Sequence, residues 1–210
     1  MRSTRLAGIG AKLITAAMTA ALALSVAAPG VSAQDEGGDL VVGVTSDADT
    51  LFPWKATQFQ AFTMLGLIYD NLVELDQNLD IVPGLAESWE ISDDGMTATF
   101  TLREGVTFHD GTPMTSADVK ASLDAILLEE TGAVARAAIS SISSVDAPDD
   151  STVVLNLSTP DAGLLAGLVG PNVGIVPADA TEEDLSNNPT GTGPFAFGER
   201  APNESLTLVA

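Results

Sequence analysis

Cysteine is absent from the 210 residues, histidine occurs once, and Lys and Arg together number 8 against 29 Asp and Glu. Each scarcity excludes some chemistry. Without cysteine there is no disulfide framework, no thiolate nucleophile and no zinc–thiolate site. One histidine cannot build a multi-histidine metal centre, and few partners are left for a His-based nucleophile. A chain so poor in cations and rich in carboxylates repels nucleic acid and anionic lipid, so neither is an expected partner. The carboxylates are spread along the chain, which reads as a solvated surface. Apolar residues make up 45%, enough for a buried core and too many for a disordered acidic tail.

The chain opens with a leader pattern. Arg2, Arg5 and Lys12 form a basic n-region, "LITAAMTAALALSVAA" (13–28) an apolar h-region, and Val31 and Ala33 the small-residue spacing that a signal peptidase reads. Cleavage after Ala33 is the expectation for residues 1–33, and a retained N-terminal anchor is the alternative. Beyond residue 33, five basic residues face 29 acidic ones, 5 − 29 = −24. No cysteine follows the signal to carry an acyl group, so a lipid anchor is not expected and a protein free in the periplasm is.

Further along, "DLVVGVT" (39–45) is an apolar, β-branched run that predicts a buried strand, followed by the polar loop "SDADTLFPW" (46–54). "FQAFTMLGLIYDNLV" (59–73) predicts a helix with Phe62, Leu65, Ile68 and Tyr69 on one face, and "LVELD" a short strand closed by "QNLD". Period-two alternation on both sides of "DDG" predicts a hairpin, with Trp89 and Ile91 on one arm and Met96, Ala98, Phe100 and Leu102 on the other. "TSADV" predicts a helix start with Thr115 as N-cap and Asp118 three residues on, and Val119, Leu123, Ile126 and Leu127 continue one apolar stripe. "AISSISSVDA" and "STVVLNLS" around "PDD" predict a second hairpin. "DAGLLAGLVG" predicts a short helix, "VGIVP" a connector or strand, "TEEDLSNNPTGTG" a polar turn-rich stretch, and "PFAFGERAPNESLTLVA" two strands. The class is α/β with antiparallel hairpins. The last residues stop within an apolar strand pattern, from which we expect the front part of a longer protein.

Candidate chemistry is sparse. His109 and Asp110 are adjacent in the turn "HDGTP", where neighbours point apart and lack an orienting third group, so a scaffold role is favoured over catalysis. Paired carboxylates such as Asp93/Asp94 and Glu182/Glu183 fall in turns or at helix ends. "SDADT" is a fragment of a calcium loop without its remaining ligands, and no metal site is expected. "TGTGPF" (190–195) lacks the Lys-Ser/Thr of a phosphate loop and leads into a strand; close packing and approach to a ligand both explain its glycines. Phe52 and Trp54 admit two readings, a pocket lining or ordinary burial.

"LVVGVTSDADTLFPW", "IYDNLVELD", "IVPGLAESWEISDDGMTATFTLREGVTFHDGTPMTSADV" and "NPTGTGPFAFGE" together resemble, in order and spacing, the family 5 extracellular solute-binding proteins of ABC transporters, the dipeptide- and oligopeptide-binding type. The block from Pro83 to Val119 is the most specific. The resemblance covers nearly all of 39–210 and stops before the Asn-Pro-x-Tyr-Trp-like stretch expected next in the family. It implies a type II periplasmic binding protein-like fold. Residues 34–210 would form most of lobe one, with core-lobe strands in 39–58 and 188–210 and an added hairpin-plus-helix subdomain in about 60–180. The second lobe, whose acidic residue holds the ligand's amino terminus in peptide-binding members, would lie outside this chain. The implied activity is capture of a peptide or similar small solute and delivery to an inner-membrane permease by a monomeric, cofactor-free receptor that is not an enzyme. By position in the family's cleft, the resemblance points to Asp47, Asp49, Leu51, Phe52 and Trp54, with Thr192, Gly193, Pro194 and Phe195, as aromatic walls and backbone partners of an extended ligand. A secreted α/β hydrolase is the alternative; no Gly-x-Ser-x-Gly elbow stands in this sequence, so its catalytic residues would lie in a C-terminal part outside it. An acidic adhesion module would favour an all-β pattern without amphipathic helices.

Overall fold

The computed structural model describes residues 38–210; the leader reading of 1–33 lies outside them. Residues 38–42 carry neither helix nor strand, and Leu40 and Val41 are 87% and 90% exposed. The run continues with Val44 half-exposed and also outside any strand. This corrects the expected strand over 39–45. An apolar run is stable as a buried strand only when neighbours cover it, and no described strand pairs with this one.

Residues 43–210 hold the fold. Two hairpins supply its main sheet: β3 (Ala86–Ile91) with β4 (Thr97–Leu102), and β5 (Ile142–Asp149) with β6 (Thr152–Leu157). They join through β4 and β6 in the antiparallel order β3-β4-β6-β5. The predicted alternation is realised on β4, where Ala98, Phe100 and Leu102 are buried, and on β6, where Val153, Leu155 and Leu157 are buried. Gly95 closes the first hairpin at φ +69°, a conformation that glycine adopts without steric cost. The Asp94 carboxylate accepts from Ser92 Oγ and Met96 N in the same turn. On β3 the pattern is only partly realised. Trp89 lies opposite Phe100, but Ile91 is 45% exposed because β3 is an edge strand with a bulge near Ala86 and Ser88.

Helix α2 (Ser116–Leu127) packs across β5 and β6 and inserts Val119, Leu123 and Ile126 into the same core. Its start is the predicted capping box: the Thr115 N–H donates to Asp118 Oδ2 at 2.8 Å. Buried Ser122 on this helix accepts from Val176 N at 3.1 Å and so ties down the connector over 173–177, where Val173, Ile175 and Val176 are buried.

Helix α1 (Phe59–Ile68) ends five residues before the predicted end at 73, and β1 (Val73–Leu75) pairs with β2 (Ile81–Pro83). Short α3 (Leu164–Gly167) lies where the apolar run predicts a helix. A helix not predicted, α4 (Glu182–Asn187), is nucleated by a Thr181–Asp184 capping box in the polar stretch and buries Leu185. The final hairpin is β7 (Ala196–Ala201) with β8 (Ser205–Val209). Among the described residues no helix is long and apolar enough to cross a membrane.

Candidate functional site

The loop over 46–57 is shaped by its own carboxylates. Asp49 Oδ2 accepts from Thr57 Oγ1 at 2.6 Å and Thr57 N at 2.9 Å, which closes the loop at its base. Partial burial works against that charge, but the Thr57 bonds outweigh it and hold the carboxyl below its ordinary pKa. Asp47 reaches out of the loop. Its Oδ2 accepts from Asn203 N at 3.0 Å and from Arg200 Nη2 at 2.9 Å, and Arg200 also donates to Ala48 O at 2.6 Å. The Asn203 bond, opposed by burial and reinforced by Arg200, lowers the Asp47 pKa.

Between Asp49 and Thr57 the chain turns inward. Leu51, Phe52 and Trp54 are 1%, 3% and 6% exposed, and the Phe52 and Trp54 rings lie 5.2 Å apart in a tilted pair. Trp54 Nε1 donates to Gly174 O at 3.0 Å, and Asn172 Nδ2 donates to Pro53 O and Ala56 O. Of the two readings left open for the aromatics, burial is therefore what this chain displays: the rings fix the loop from beneath.

The Gly-rich segment has a different foundation. The final carbonyls of an α-helix have no partner within the helix. At the end of α1 they are satisfied from a distance, with Gly193 N donating to Ile68 O at 2.9 Å and Phe195 N to Leu67 O at 3.0 Å. That long-range cap also explains why the helix stops at Ile68. A Cβ at Gly193 would sit 2.7 Å from Leu67 O, and one at Gly191 would collide with Ile68 O. Close packing thus requires both glycines. Thr192 between them donates through Oγ1 to Asp70 Oδ2 at 3.0 Å. Pro194 is exposed, while Thr192, Gly193 and Phe195 are partly so.

The two predicted segments meet through the last hairpin. Arg200 of β7, five residues beyond Phe195, reaches back to Asp47 and Ala48. Among the described residues no hydrogen bond joins 46–57 directly to 190–195. Sequence reasoning did not single out Arg200, Asn172, Gly174 or Asp70, because each acts through a partner more than 100 residues away.

His109 also resolves. Its Nε2 lies 2.9 Å from Gly193 O, Gly191 N donates to its Nδ1 at 3.3 Å, and its own N–H donates to Gly191 O. Asp110 is turned to Thr112, whose Oγ1 donates at 2.6 Å and N at 2.8 Å. The Thr112 bonds, more than the neighbouring His109, hold the Asp110 carboxyl low. The pair has no general-base geometry, and His109 serves the scaffold. Nor does any group of three or more metal-ligating side chains converge among the described residues.

Solved periplasmic binding proteins of the peptide-binding class superpose on this chain, which has the fold of part of one of their lobes. The family model "Bacterial extracellular solute-binding proteins, family 5 Middle" matches residues 80–210, and the chain belongs to that family. A Brucella ovis protein named as an ABC transporter peptide-binding protein is 36% identical over 198 residues, covering 89% of this chain and 37% of its own length. The structure of AgaA from A. tumefaciens R10 with agropinic acid superposes with a TM-score of 0.73 at 38% identity, over 78% of this chain and 34% of that one. DppA from Helicobacter pylori, an ABC transporter-associated periplasmic binding protein solved with the peptide STSA, gives a TM-score of 0.70 at 28% identity, over 78% and 37%. The chain therefore spans about a third of the length of the relatives it matches.

Proposed function

We propose that this chain is the lobe-one portion of a receptor that captures a peptide in the periplasm and passes it to an ABC permease. The protein is exported by cleavage after Ala33, carries no lipid anchor, acts as a monomer and performs no catalysis. The observation that carries the reading is family membership together with a 36% identical relative named as peptide-binding. In this reading 190–195 is the ligand-facing edge: Thr192 and Phe195 offer side chains, Gly193 and Pro194 a backbone that a ligand can approach. Asp47 and Asp49 shape the neighbouring loop, and Leu51, Phe52 and Trp54 hold it rigid. Residues 60–180 form the added subdomain, and 43–58 and 188–210 belong to the core lobe.

A second reading has its own support, because the AgaA structure at 38% identity holds agropinic acid. Here the cargo is a small organic acid instead of a peptide. A thermal-shift screen of the full-length protein separates the two. Di- to tetrapeptides raising Tm by several degrees, with little effect from agropinic-type acids, supports the peptide reading. The reverse pattern overturns it.

A further inference from the structure

We propose that His109, as a neutral imidazole protonated at Nε2, is a positioning residue that clamps Gly191–Gly193 in the conformation the ligand-facing edge requires. This inference rests on the receptor reading for its functional meaning, though not for its geometry. The assignment of the proton follows from the partners. A backbone N–H can only donate, so Nδ1, which faces Gly191 N at 3.3 Å, carries the lone pair. A carbonyl can only accept, so Nε2, 2.9 Å from Gly193 O, carries the hydrogen. With the His109 N–H to Gly191 O bond at 2.9 Å, one residue holds both ends of a three-residue strip.

The opposite side of the strip is occupied by the end of α1, through the Gly193 and Phe195 amides. The strip thus lies between a helix terminus and an imidazole, and the two glycines are what let it fit. Thr192 is the one residue of the strip with a side chain, and it is aimed at Asp70. The carboxylates around the clamp are otherwise engaged: Asp110 with Thr112, and Asp70 with Thr192. Neither hydrogen-bonds to the ring, so the ring's roles are set by the strip.

His109 is the only histidine among these 210 residues, and in the full-length protein its ring signals are picked out by through-bond correlation to its own backbone amide. Ring 15N NMR of the full-length protein at a pH where the imidazole is neutral is expected to show hydrogen on Nε2 and a bare Nδ1. Amide exchange then tests the clamp. His109→Phe removes both ring bonds and should speed exchange at Gly191, whose amide donates to Nδ1, by roughly fivefold or more, the loss of about one net hydrogen bond. Amides of β4 and β6 should not change. His109→Gln, which keeps a donor near the Nε2 position, should restore part of the protection. An Nδ1–H tautomer in the unmodified protein, or unchanged Gly191 exchange in His109→Phe, overturns the proposal. The tautomer measurement needs no variant, so a misfolded His109→Phe does not shield the idea. Neither measurement needs ligand, so failure of the receptor reading would appear in the solute screen and not here.

Discussion

The β3–β6 sheet with α2 and the loop face over 46–57 and 190–195 are built on different physics. In the sheet region, stability comes from apolar side chains repeated at strand and helix periods. Phe100, Val153, Leu155, Leu123 and Ile126 are all fully buried. On the loop face, shape comes from single polar pins between residues far apart in sequence. Trp54 holds Gly174, Asn172 holds Pro53 and Ala56, Arg200 holds Asp47, and His109 holds Gly191 and Gly193. Burial tolerates local variation as long as volume is kept, whereas a pin fails when one atom is removed. Binding surfaces on loops need that second kind of precision.

The sharpest break in this comparison comes from the sheet side. Phe100→Ala should destabilise the whole unit by about 3–5 kcal/mol, because a large core side chain leaves a cavity. Denaturant unfolding should show a shifted midpoint in every probe at once. Gly193→Ala should cost about 1–3 kcal/mol, as overpacking does, since its Cβ would meet Leu67 O at 2.7 Å. Its signature should be local: faster amide exchange at 190–195 and the end of α1, with the sheet unaffected. A uniform loss of protection across β3–β6 would erase the distinction between the two regions.

A smaller effect is expected from Trp54→Phe, which keeps an aromatic ring but leaves the buried Gly174 carbonyl without its donor. About 1–2 kcal/mol is the usual cost of such an orphaned group, read as a Tm shift together with mobility of 53–56. Asp47→Asn should be the mildest, below about 1 kcal/mol for a partly exposed ion pair. Its pH dependence has a definite sign. The folded-state pKa of Asp47 lies below the ordinary 3.8. Its contribution is therefore fully present above that ordinary value and is lost as pH falls through the lower folded value. Acid titrations of unmodified protein and Asp47→Asn should differ at neutral pH and converge as pH falls past the ordinary 3.8 and through the lower folded value.

The same contrast explains what could be read from sequence. Alternation in Met96–Leu102 and the helical stripe from Val119 are local signals, and both hairpins, the Asp94-Gly95 turn and the Thr115 cap follow from them. The end of α1 does not follow, because the groups that cap Leu67 and Ile68 lie more than 120 residues away. Nor does the burial of Phe52 and Trp54, which depends on the segment over 172–174. Helix α4 had a local signal in Thr181 and Asp184, but it is too short for apolar periodicity to reveal. The run over 39–45 marks the opposite limit. Its composition says strand, yet a strand is a property of two partners. The neighbours of His109 in sequence favour a scaffold role without saying what it holds, and only the spatial neighbours Gly191 and Gly193 define that task.

Amide hydrogen exchange of the full-length protein, with and without a peptide that stabilises it, probes both regions together. Ligand should slow exchange at 46–57 and 190–195 and leave β3–β6 and α2 unchanged. Protection gained in β5, β6 or α2, with both loops unaffected, would contradict it.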